Sequence, residues 1–330
     1  MIIVTGGAGF IGSNIAIELG KKNQIIICDD LKNCKIKKNN IASIKNKKII
    51  PISSLFDFID KKNKTIKAII HMGAITSTAE KNLNLIMSNN YIYSSKLFKI
   101  CNSNKIKLIY ASSAATYGNS NNHFNDNNTF ENFLSISPTN YYSLSKHMFD
   151  LEVLSNINSN YNPGSNPVGL KFFNVYGPNE LHKNFSMSPI PKFYKEIYTK
   201  GKVNLFKSHS KLYKNGHQAR DFIYVKDIVK VVNFFLSKKK LRGIYNVGTG
   251  KSNTFFKLAN LVIKNTKKNS TIEYIETPSK IKGGYQYYTK ADVSNLIKSG
   301  YKGGFTSLEN GVKDYINNYL KNTDYKKIKL

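Results

Sequence analysis

Short runs of apolar residues recur along the first half of the chain, separated by segments long enough to form helices. The runs are MIIVTG, NQIIICDD, KKIIPI, KAIIHMGA and KLIYASSAATYG. Apolar runs of this length, bounded by turn residues, are typical of strands that are buried on both faces. Strands that alternate with helices in this way predict a parallel, doubly wound sheet.

Beyond about residue 175 the pattern becomes less regular. Helix-like segments lie near 189–201, 226–238, 253–266 and 307–320. A chain of 330 residues is long for one compact unit and can hold a large body with a smaller appendage. We therefore predict an α/β fold with a Rossmann-type doubly wound parallel sheet and a smaller mixed α/β domain that covers it.

The positive charge of the chain is high but dispersed. The formal net charge is +30, and arginine occurs only at Arg220 and Arg242. Lysines scattered among asparagine and isoleucine indicate compositional drift, because base and phosphate recognition favours arginine. We expect no nucleic-acid partner, although a non-catalytic nucleotide- or RNA-binding scaffold remains the alternative from another functional class.

Other sequence features predict a cytoplasmic protein without a metal. No apolar run reaches the roughly 18 residues of a membrane span, and the amino end lacks the features of a signal peptide. Cys28, Cys34 and Cys101 have neither the number nor the spacing of a disulfide framework or a zinc site. The histidines also lack metal-ligand spacing, so we assign no metal.

A glycine-rich turn follows the first predicted strand. Gly6, Gly9 and Gly12 have the spacing G-x-x-G-x-x-G and open a predicted helix. Glycines here let the backbone approach a pyrophosphate, which binds at the positive end of a helix. Asp29 and Asp30 end the next strand about 20 residues further on, where an acid binds the adenosine ribose. The combination predicts a dinucleotide site.

Three lysines near these acids leave the type of dinucleotide open. An acid at the ribose favours NAD, whereas Lys32, Lys35 or Lys37 is placed to meet a 2′-phosphate. We select Lys35 and predict NADP, with NAD as the alternative, tightly bound at one per subunit.

The stretch NYYSLSK predicts a proton-transfer site. Residues four apart on a helix share a face, whereas residues five apart diverge by roughly 140°. Tyr142 and Lys146 therefore point together, and Tyr141 is expected to pack elsewhere. An ammonium beside a phenol lowers the phenol pKa, so we expect a lowered pKa for Tyr142. Ser113, at the end of the strand in IYASSAATYG, is placed to hydrogen-bond a substrate hydroxyl.

These motifs together resemble a known family over essentially the whole chain. GGAGFIG, ASSAATYG, YSLSK, FFNVYGP, RDFIYVKDI and NVGTG are similar to the extended short-chain dehydrogenase/reductase superfamily. HMGAITSTAE, SNNYIYSSKLF, LHKNFSMS and KIKGGYQYYTKADVSNL resemble its ADP-heptose 6-epimerases, which serve lipopolysaccharide core assembly. A 4-epimerase of UDP-glucose type is the alternative within the superfamily.

The resemblance implies epimerisation without net redox. A tightly held nicotinamide removes hydride from the sixth heptose carbon and returns it to the opposite face of the transient ketone. Because the sugar must turn between the two steps, two acid/base groups are expected. Tyr142 matches the first, and Lys183 matches the second. Asn184 and Phe185 separate Lys183 from Ser186, where the family has one glycine.

The resemblance also implies the remaining site residues and the assembly. Cofactor positions fall on Phe10, Ile11, Met72, Gly73, Ala74, Ile75, Thr76, Asn89, Tyr142 and Lys146. Substrate positions fall on Asn174, Val175, Lys183, Ser186, Phe206, Lys207, Ser208, His209, Arg220 and Tyr285. Arg220 is expected to clamp the diphosphate of the ADP-heptose. A homo-oligomer, a pentamer by resemblance, is expected. We predict a dinucleotide-binding domain of residues 1–174 plus about 221–249, and a substrate-binding domain of about 175–220 plus 250–330.

Overall fold

The apolar runs form the strands of a central sheet. The structure, a computed structural model, describes residues 1–32, 34–118, 124–159, 164–278 and 286–328. Its strands are β1 (Ile2–Thr5), β2 (Ile25–Cys28), β3 (Lys47–Ile50), β4 (Ala68–His71), β5 (Lys107–Ser113), β6 (Val168–Phe172), β7 (Asn174–Tyr176), β8 (Lys202–Phe206), β9 (Ala219–Tyr224), β10 (Gly243–Val247), β11 (Ser252–Thr254) and β12 (Thr271–Ile275). The five strands predicted from the apolar runs are β1 to β5, so that prediction is confirmed.

The helices connect and cover these strands. They are α1 (Phe10–Leu19), α2 (Lys35–Asn40), α3 (Leu55–Lys62), α4 (Leu83–Ile86), α5 (Tyr93–Ser103), α6 (Phe130–Leu134), α7 (Tyr141–Asn158), α8 (Pro189–Lys200), α9 (Val225–Ser237), α10 (Phe255–Thr266), α11 (Ser294–Lys298) and α12 (Leu308–Asn318). Helices α8, α9, α10 and α12 match the four helices predicted in the second half. Among the described residues, no helix combines the length and apolar character needed to cross a membrane.

Seven strands form one parallel sheet in the order β10-β6-β5-β4-β1-β2-β3. The chain runs from β1 outward through β2 to β3 and then returns to β4 on the other side of β1. Strand order therefore reverses between β1 and β4. In such sheets the carboxyl ends of the strands open a crevice at this point, which is where ligands bind.

Helices cover both faces of this sheet, as a doubly wound fold requires. Ile2 and Val4 of β1 belong to a core shared with α1 and α9. Ile3, between them, points to the other face and belongs to a core shared with α5 and α7. Side chains alternate along a strand, so this short apolar run serves both cores. The predicted doubly wound α/β fold is confirmed.

Smaller sheets lie outside the central one. Strands β11, β9 and β7 form one sheet, and β12 and β8 form another. Helices α8, α10 and α12 contribute to a third core, which includes residues of β8 and β9. Strands and helices are thus mixed in this part of the chain. The exact domain boundaries given above stay a prediction.

Candidate active site

The glycine-rich turn brings β1 close to the end of β4. Gly6 has a φ of +60°, and a Cβ atom there would lie 2.7 Å from the Cα atom of Gly73. Only glycine allows this left-handed backbone and this close approach together. The turn then leads into α1, and the backbone N–H groups at the start of a helix can bind an anion.

A cavity of about 520 Å³ occupies this crevice. Most of the predicted cofactor residues line it, from the glycine-rich turn, the end of β2, the end of β4 and the helical segment after α4. They are Gly6, Gly9, Phe10, Ile11, Gly12, Asp29, Asp30, Met72, Gly73, Ala74, Ile75, Thr76 and Asn89. The buried carboxylate of Asp29 can accept hydrogen bonds from a ribose. The backbone N–H groups at the start of α1 can donate to phosphate oxygens. A dinucleotide site requires both.

The acid at this cavity is paired with Lys37. Asp29 is buried, accepts a hydrogen bond from Ala8 N at 2.9 Å, and lies 3.0 Å from Lys37 Nζ. Lys35 is exposed and does not line the cavity. Two residues along a helix turn the side chain by about 200°, so Lys35 and Lys37 lie on opposite sides of α2. Lys37 is thus the lysine beside Asp29 at the cavity, and the cofactor role of Lys35 stays a prediction.

A buried histidine connects the strands beneath the cavity. His71 Nδ1 lies 2.7 Å from Thr5 Oγ1, and its Nε2 lies 2.8 Å from Ser94 Oγ. Ser94 donates its own hydroxyl hydrogen to Asn90 O, so His71 Nε2 must donate to Ser94 and Nδ1 must accept from Thr5. Burial, with a smaller effect from the charge of Lys146, lowers the pKa of His71 to about 3.

This histidine makes the fold sensitive to acid. An unfolded histidine titrates near pH 6.5, so below that pH the unfolded state binds a proton that the folded state excludes. The free energy of unfolding should therefore fall with pH, by about 2 kcal/mol from this residue at pH 5. Between pH 7.5 and pH 5, the free energy of unfolding should fall by about 2 kcal/mol less in His71→Gln than in the unmodified protein, as measured by urea denaturation. An equal loss in both proteins would contradict this.

An asparagine that sequence reasoning passed over holds the loop after β4. A π-helical segment, Met87–Ile92, lies between α4 and α5. Within it Asn90 is buried, accepts from Ile75 N at 2.8 Å and donates to Ile75 O at 2.9 Å. The neighbouring Asn89, the predicted residue, is exposed at the cavity rim. A wider helical turn here places adjacent asparagines in two different roles.

A second cavity of about 370 Å³ adjoins the first. Tyr142, Lys146 and Ser113 line it, as do Asn174 and Val175 of β7. Residues common to both cavities form the wall between them: Phe10, Ile11, Met72, Ala74, Thr76, Lys183 and Ser186. A molecule bound in the first cavity therefore adjoins the groups of the second.

Helix α7 places Tyr142 and Lys146 on one face. The helix begins with a capping box in which Asn140 Oδ1 accepts from Ser143 N at 2.9 Å. This cap fixes the first turn, which carries Tyr142. Lys146 Nζ donates to Ala111 O at 2.8 Å. Tyr141 is 41% exposed, so the expectation that it packs elsewhere is corrected: it faces solvent.

The pKa of Tyr142 differs from expectation. Burial raises it, and the Ser113 hydroxyl offsets part of that rise. Burial also lowers the pKa of Lys146 to about 8, and the charge of Asp150 opposes that effect. The predicted lowering of the Tyr142 pKa by Lys146 is therefore wrong for the protein alone, because loss of solvent destabilises both charged forms.

A buried charge cluster lies behind these residues. Asp150 follows Lys146 by one helical turn and accepts hydrogen bonds from Tyr110 at 2.9 Å and from Ser112 at 2.6 Å. Its Oδ2 also lies 2.6 Å from Lys171 Nζ, and both charged side chains are fully buried. The cluster ties α7 to β5 and β6, so it holds the helix in place against the sheet. Nothing in the local sequence around these residues marks them as partners.

Lys183 reaches the same cavity from a loop after β7. It lies in the 3₁₀ segment Leu181–Ser186 and lines both cavities, with Nζ 5.6 Å from the centroid of the Phe10 ring. Burial lowers its pKa, and the charge of Glu180 opposes that. Asn184 has a φ of +48° and Phe185 is 78% exposed. The additional residue in this loop is thus accommodated by a positive φ at Asn184 and a solvent-facing ring at Phe185, and Lys183 lines the cavity.

The remaining predicted substrate residues lie elsewhere. Neither of the two cavities described above is lined by Phe206, Lys207, Ser208, His209 or Arg220. His209 N donates to the Tyr287 hydroxyl at 2.9 Å, and the Arg220 guanidinium donates to Ala219 O and to Gln286 O. Arg220 also lies over the ring of Phe255. Both groups thus contact residues 286–287. Tyr285 lies outside the described residues.

Comparison with known proteins places this geometry in a family. Residues 2–248 match the model of the NAD dependent epimerase/dehydratase family. The chain belongs to this family. A curated member from Fusobacterium nucleatum, named ADP-L-glycero-D-manno-heptose-6-epimerase, is 39% identical over 98% of this chain and 99% of its own length.

Solved structures of the family share the fold. The Helicobacter pylori ADP-L-glycero-D-manno-heptose-6-epimerase has a TM-score of 0.79 and 28% identity, covering 96% of this chain and 95% of that one. A UDP-N-acetylglucosamine 4-epimerase from Methanobrevibacter ruminantium has a TM-score of 0.82 and 28% identity, covering 98% of each chain. Fold similarity alone therefore does not separate these two activities within the family.

Proposed function

We propose that this chain converts ADP-D-glycero-D-manno-heptose to ADP-L-glycero-D-manno-heptose by transient oxidation of the sixth heptose carbon. The observation that carries the proposal is that two groups able to transfer protons, Tyr142 and Lys183, line one cavity from different elements. That cavity shares a wall with the crevice that fits a dinucleotide. The named relatives, similar over nearly the full chain, support the choice of substrate.

The two groups have complementary parts in the reaction. The bound nicotinamide would supply hydride acceptance and return. In one orientation of the sugar, Tyr142 removes the hydroxyl proton. In the other orientation, Lys183 delivers a proton to the carbonyl oxygen. In the reverse reaction, Lys183 removes the hydroxyl proton and Tyr142 delivers a proton to the carbonyl oxygen. Ser113, at the end of β5, is placed to hydrogen-bond the reacting oxygen, while Asn174 and Val175 bound the space in which the sugar turns.

Incubation with candidate substrates tests the proposal. The purified protein should interconvert the two ADP-heptose epimers, as followed by chromatography of the nucleotide sugars. The structural similarity to a 4-epimerase makes UDP-glucose and UDP-N-acetylglucosamine the necessary comparison. Interconversion at the fourth carbon of the UDP-sugars, with no conversion of the ADP-heptoses, would reject the proposal.

We propose NADP as the cofactor, held by the crevice that contains the Asp29–Lys37 pair. Lys37 compensates the carboxylate charge that would otherwise repel a 2′-phosphate. Denaturing the protein should release NADP, identified by mass spectrometry. Lys37→Ala should lower the affinity for NADP relative to NAD about tenfold in titrations of cofactor-free protein. Lys38→Ala, at an exposed neighbouring position, is the control. Release of NAD alone would contradict the proposal.

The pathway, location, assembly and nucleotide contacts of the protein are proposed together with this function. We propose that the product serves lipopolysaccharide core assembly, that the protein acts in the cytoplasm as a homo-oligomer, and that it has no nucleic-acid partner. Residues 206–209, Arg220 and Tyr285 are proposed to contact the nucleotide. In the structure Arg220 donates to two backbone carbonyls and lies over the ring of Phe255. The domain boundaries predicted from the sequence are likewise part of the proposal.

A further inference from the structure

One buried carboxylate closes the loop that carries Lys183. Glu180 is fully buried, and its Oε1 accepts from Gly177 N at 3.3 Å and from Ser188 Oγ at 2.7 Å. Its Oε2 accepts from Ser188 N at 2.5 Å. Gly177 and Ser188 are the two ends of the loop. A single side chain therefore joins the entry of the loop to its exit, with Lys183 between them.

The same loop is fastened to the elements that form the cofactor crevice. Asn14 of α1 donates to Pro178 O at 3.0 Å, and Asn179 donates to Ser13 Oγ at 3.0 Å. Asn40 of α2 donates to Asn179 O at 3.2 Å. Lys183 N in turn donates to Glu180 O at 3.0 Å. The base of the loop is thus fixed against α1 and α2, and Glu180 fixes the part that projects toward the second cavity.

Glu180 also determines the charge around Lys183. Burial raises the pKa of Glu180, opposed by hydrogen bonds from Ser188 and Gly177 and by the charge of Lys183. Burial lowers the pKa of Lys192 in α8 and raises that of Tyr315 in α12, and the charge of Glu180 favours the protonated form of both. His182, beside Lys183, also faces Lys37 and Asp29. Among these groups, Glu180 is the carboxylate whose charge favours the protonated form of Lys183.

We propose that Glu180 is a positioning residue for Lys183: its carboxylate holds the loop closed and supplies the negative charge that keeps Lys183 able to carry a proton. This inference rests on the proposed role of Lys183 in proton transfer. The carboxylate has two separable contributions, its reach across the loop and its charge. Glu180→Gln keeps the reach, removes the charge and loses one of the two bonds accepted from the backbone N–H groups of Gly177 and Ser188. Glu180→Asp keeps the charge and shortens the reach.

The pH dependence of kcat separates the two contributions. In Glu180→Gln the limb that reports deprotonation of Lys183 should move to lower pH by about one unit, because the charge that opposes this deprotonation is gone. The other limb should stay in place. In Glu180→Asp both limbs should keep their positions while kcat falls about tenfold and KM stays within twofold. Glu196→Gln is the matched control, since Glu196 also accepts from a backbone N–H, that of Asn204 at 3.0 Å, away from the site.

The outcomes separate this inference from the proposed function. If Lys183→Met turns over at the normal rate, the role of Lys183 and this inference both fail. If Lys183→Met is impaired but both limbs of folded Glu180→Gln match the unmodified protein, only the role of Glu180 is overturned. Should Glu180→Gln not fold, Ser188→Ala decides, because it removes one hydrogen bond from the carboxylate and keeps the charge. A loss of kcat of several-fold at constant KM supports the proposal, and an unchanged kcat overturns it.

Discussion

Replacing Tyr142 by phenylalanine is expected to lower the rate of epimerisation at least about a hundredfold, the smaller end of what acid/base catalysis contributes. The substitution removes one oxygen atom from a half-buried side chain, so the fold and the cofactor crevice should persist. Tyr142 lines the cavity beside Ser113 and Lys146, and none of the three lines the cofactor crevice proper. The amount of tightly bound nicotinamide per subunit should therefore be unchanged.

The neighbouring tyrosine provides a matched control. Tyr141→Phe makes the same chemical change one residue earlier, at a position that is 41% exposed. It should keep the normal rate. A Tyr142→Phe protein that also keeps the normal rate would mean that another group transfers this proton.

Replacing Lys183 by methionine is expected to slow epimerisation by a similar factor for the same reason. Methionine approximates the length of the lysine stem and can keep the contact with the Phe10 ring. The loop should hold its shape, because Glu180 and Ser188 are untouched. Lys200→Met, at the exposed end of α8, is the control and should keep the normal rate.

Half-reactions distinguish the two variants. If one group serves each orientation of the sugar, Lys183→Met should still oxidise one epimer through Tyr142, and Tyr142→Phe should still oxidise the other through Lys183. Each variant should thus reduce its bound nicotinamide with a different epimer, as followed by absorbance. A Lys183→Met protein that reduces nicotinamide with neither epimer would show that the lysine is needed in both orientations. Normal epimerisation by this variant would place the second proton-transfer group elsewhere.

Features set by local spacing could be predicted from the sequence. The glycine-rich turn, the strand ends and the shared face of Tyr142 and Lys146 each depend on residues close together in the chain. A short apolar strand followed by Gly6, Gly9 and Gly12 at three-residue spacing is typical of the turn that precedes a dinucleotide-binding helix. The cavities are therefore lined largely by residues that the motifs indicate.

Features set by tertiary packing could not be predicted in this way. Burial raises the pKa of Tyr142, and that burial comes from elements distant in the sequence. Asp150 and Lys171 pair across separate elements, and no local pattern marks them. In the π-helical segment, Asn90 makes buried contacts, whereas Asn89 is exposed. In a chain with 50 lysines and arginines, only the orientation of α2 distinguishes Lys37 from Lys35.

The fate of the hydrogen on the inverted carbon tests the central claim most directly. The reaction would be run to equilibrium in D₂O, and the product analysed by mass spectrometry and NMR at the sixth heptose carbon. Hydride removed by the bound nicotinamide and returned by it predicts a product that carries no deuterium at that carbon. Incorporation of one deuterium atom for each inversion would show direct proton exchange with solvent and would contradict the account.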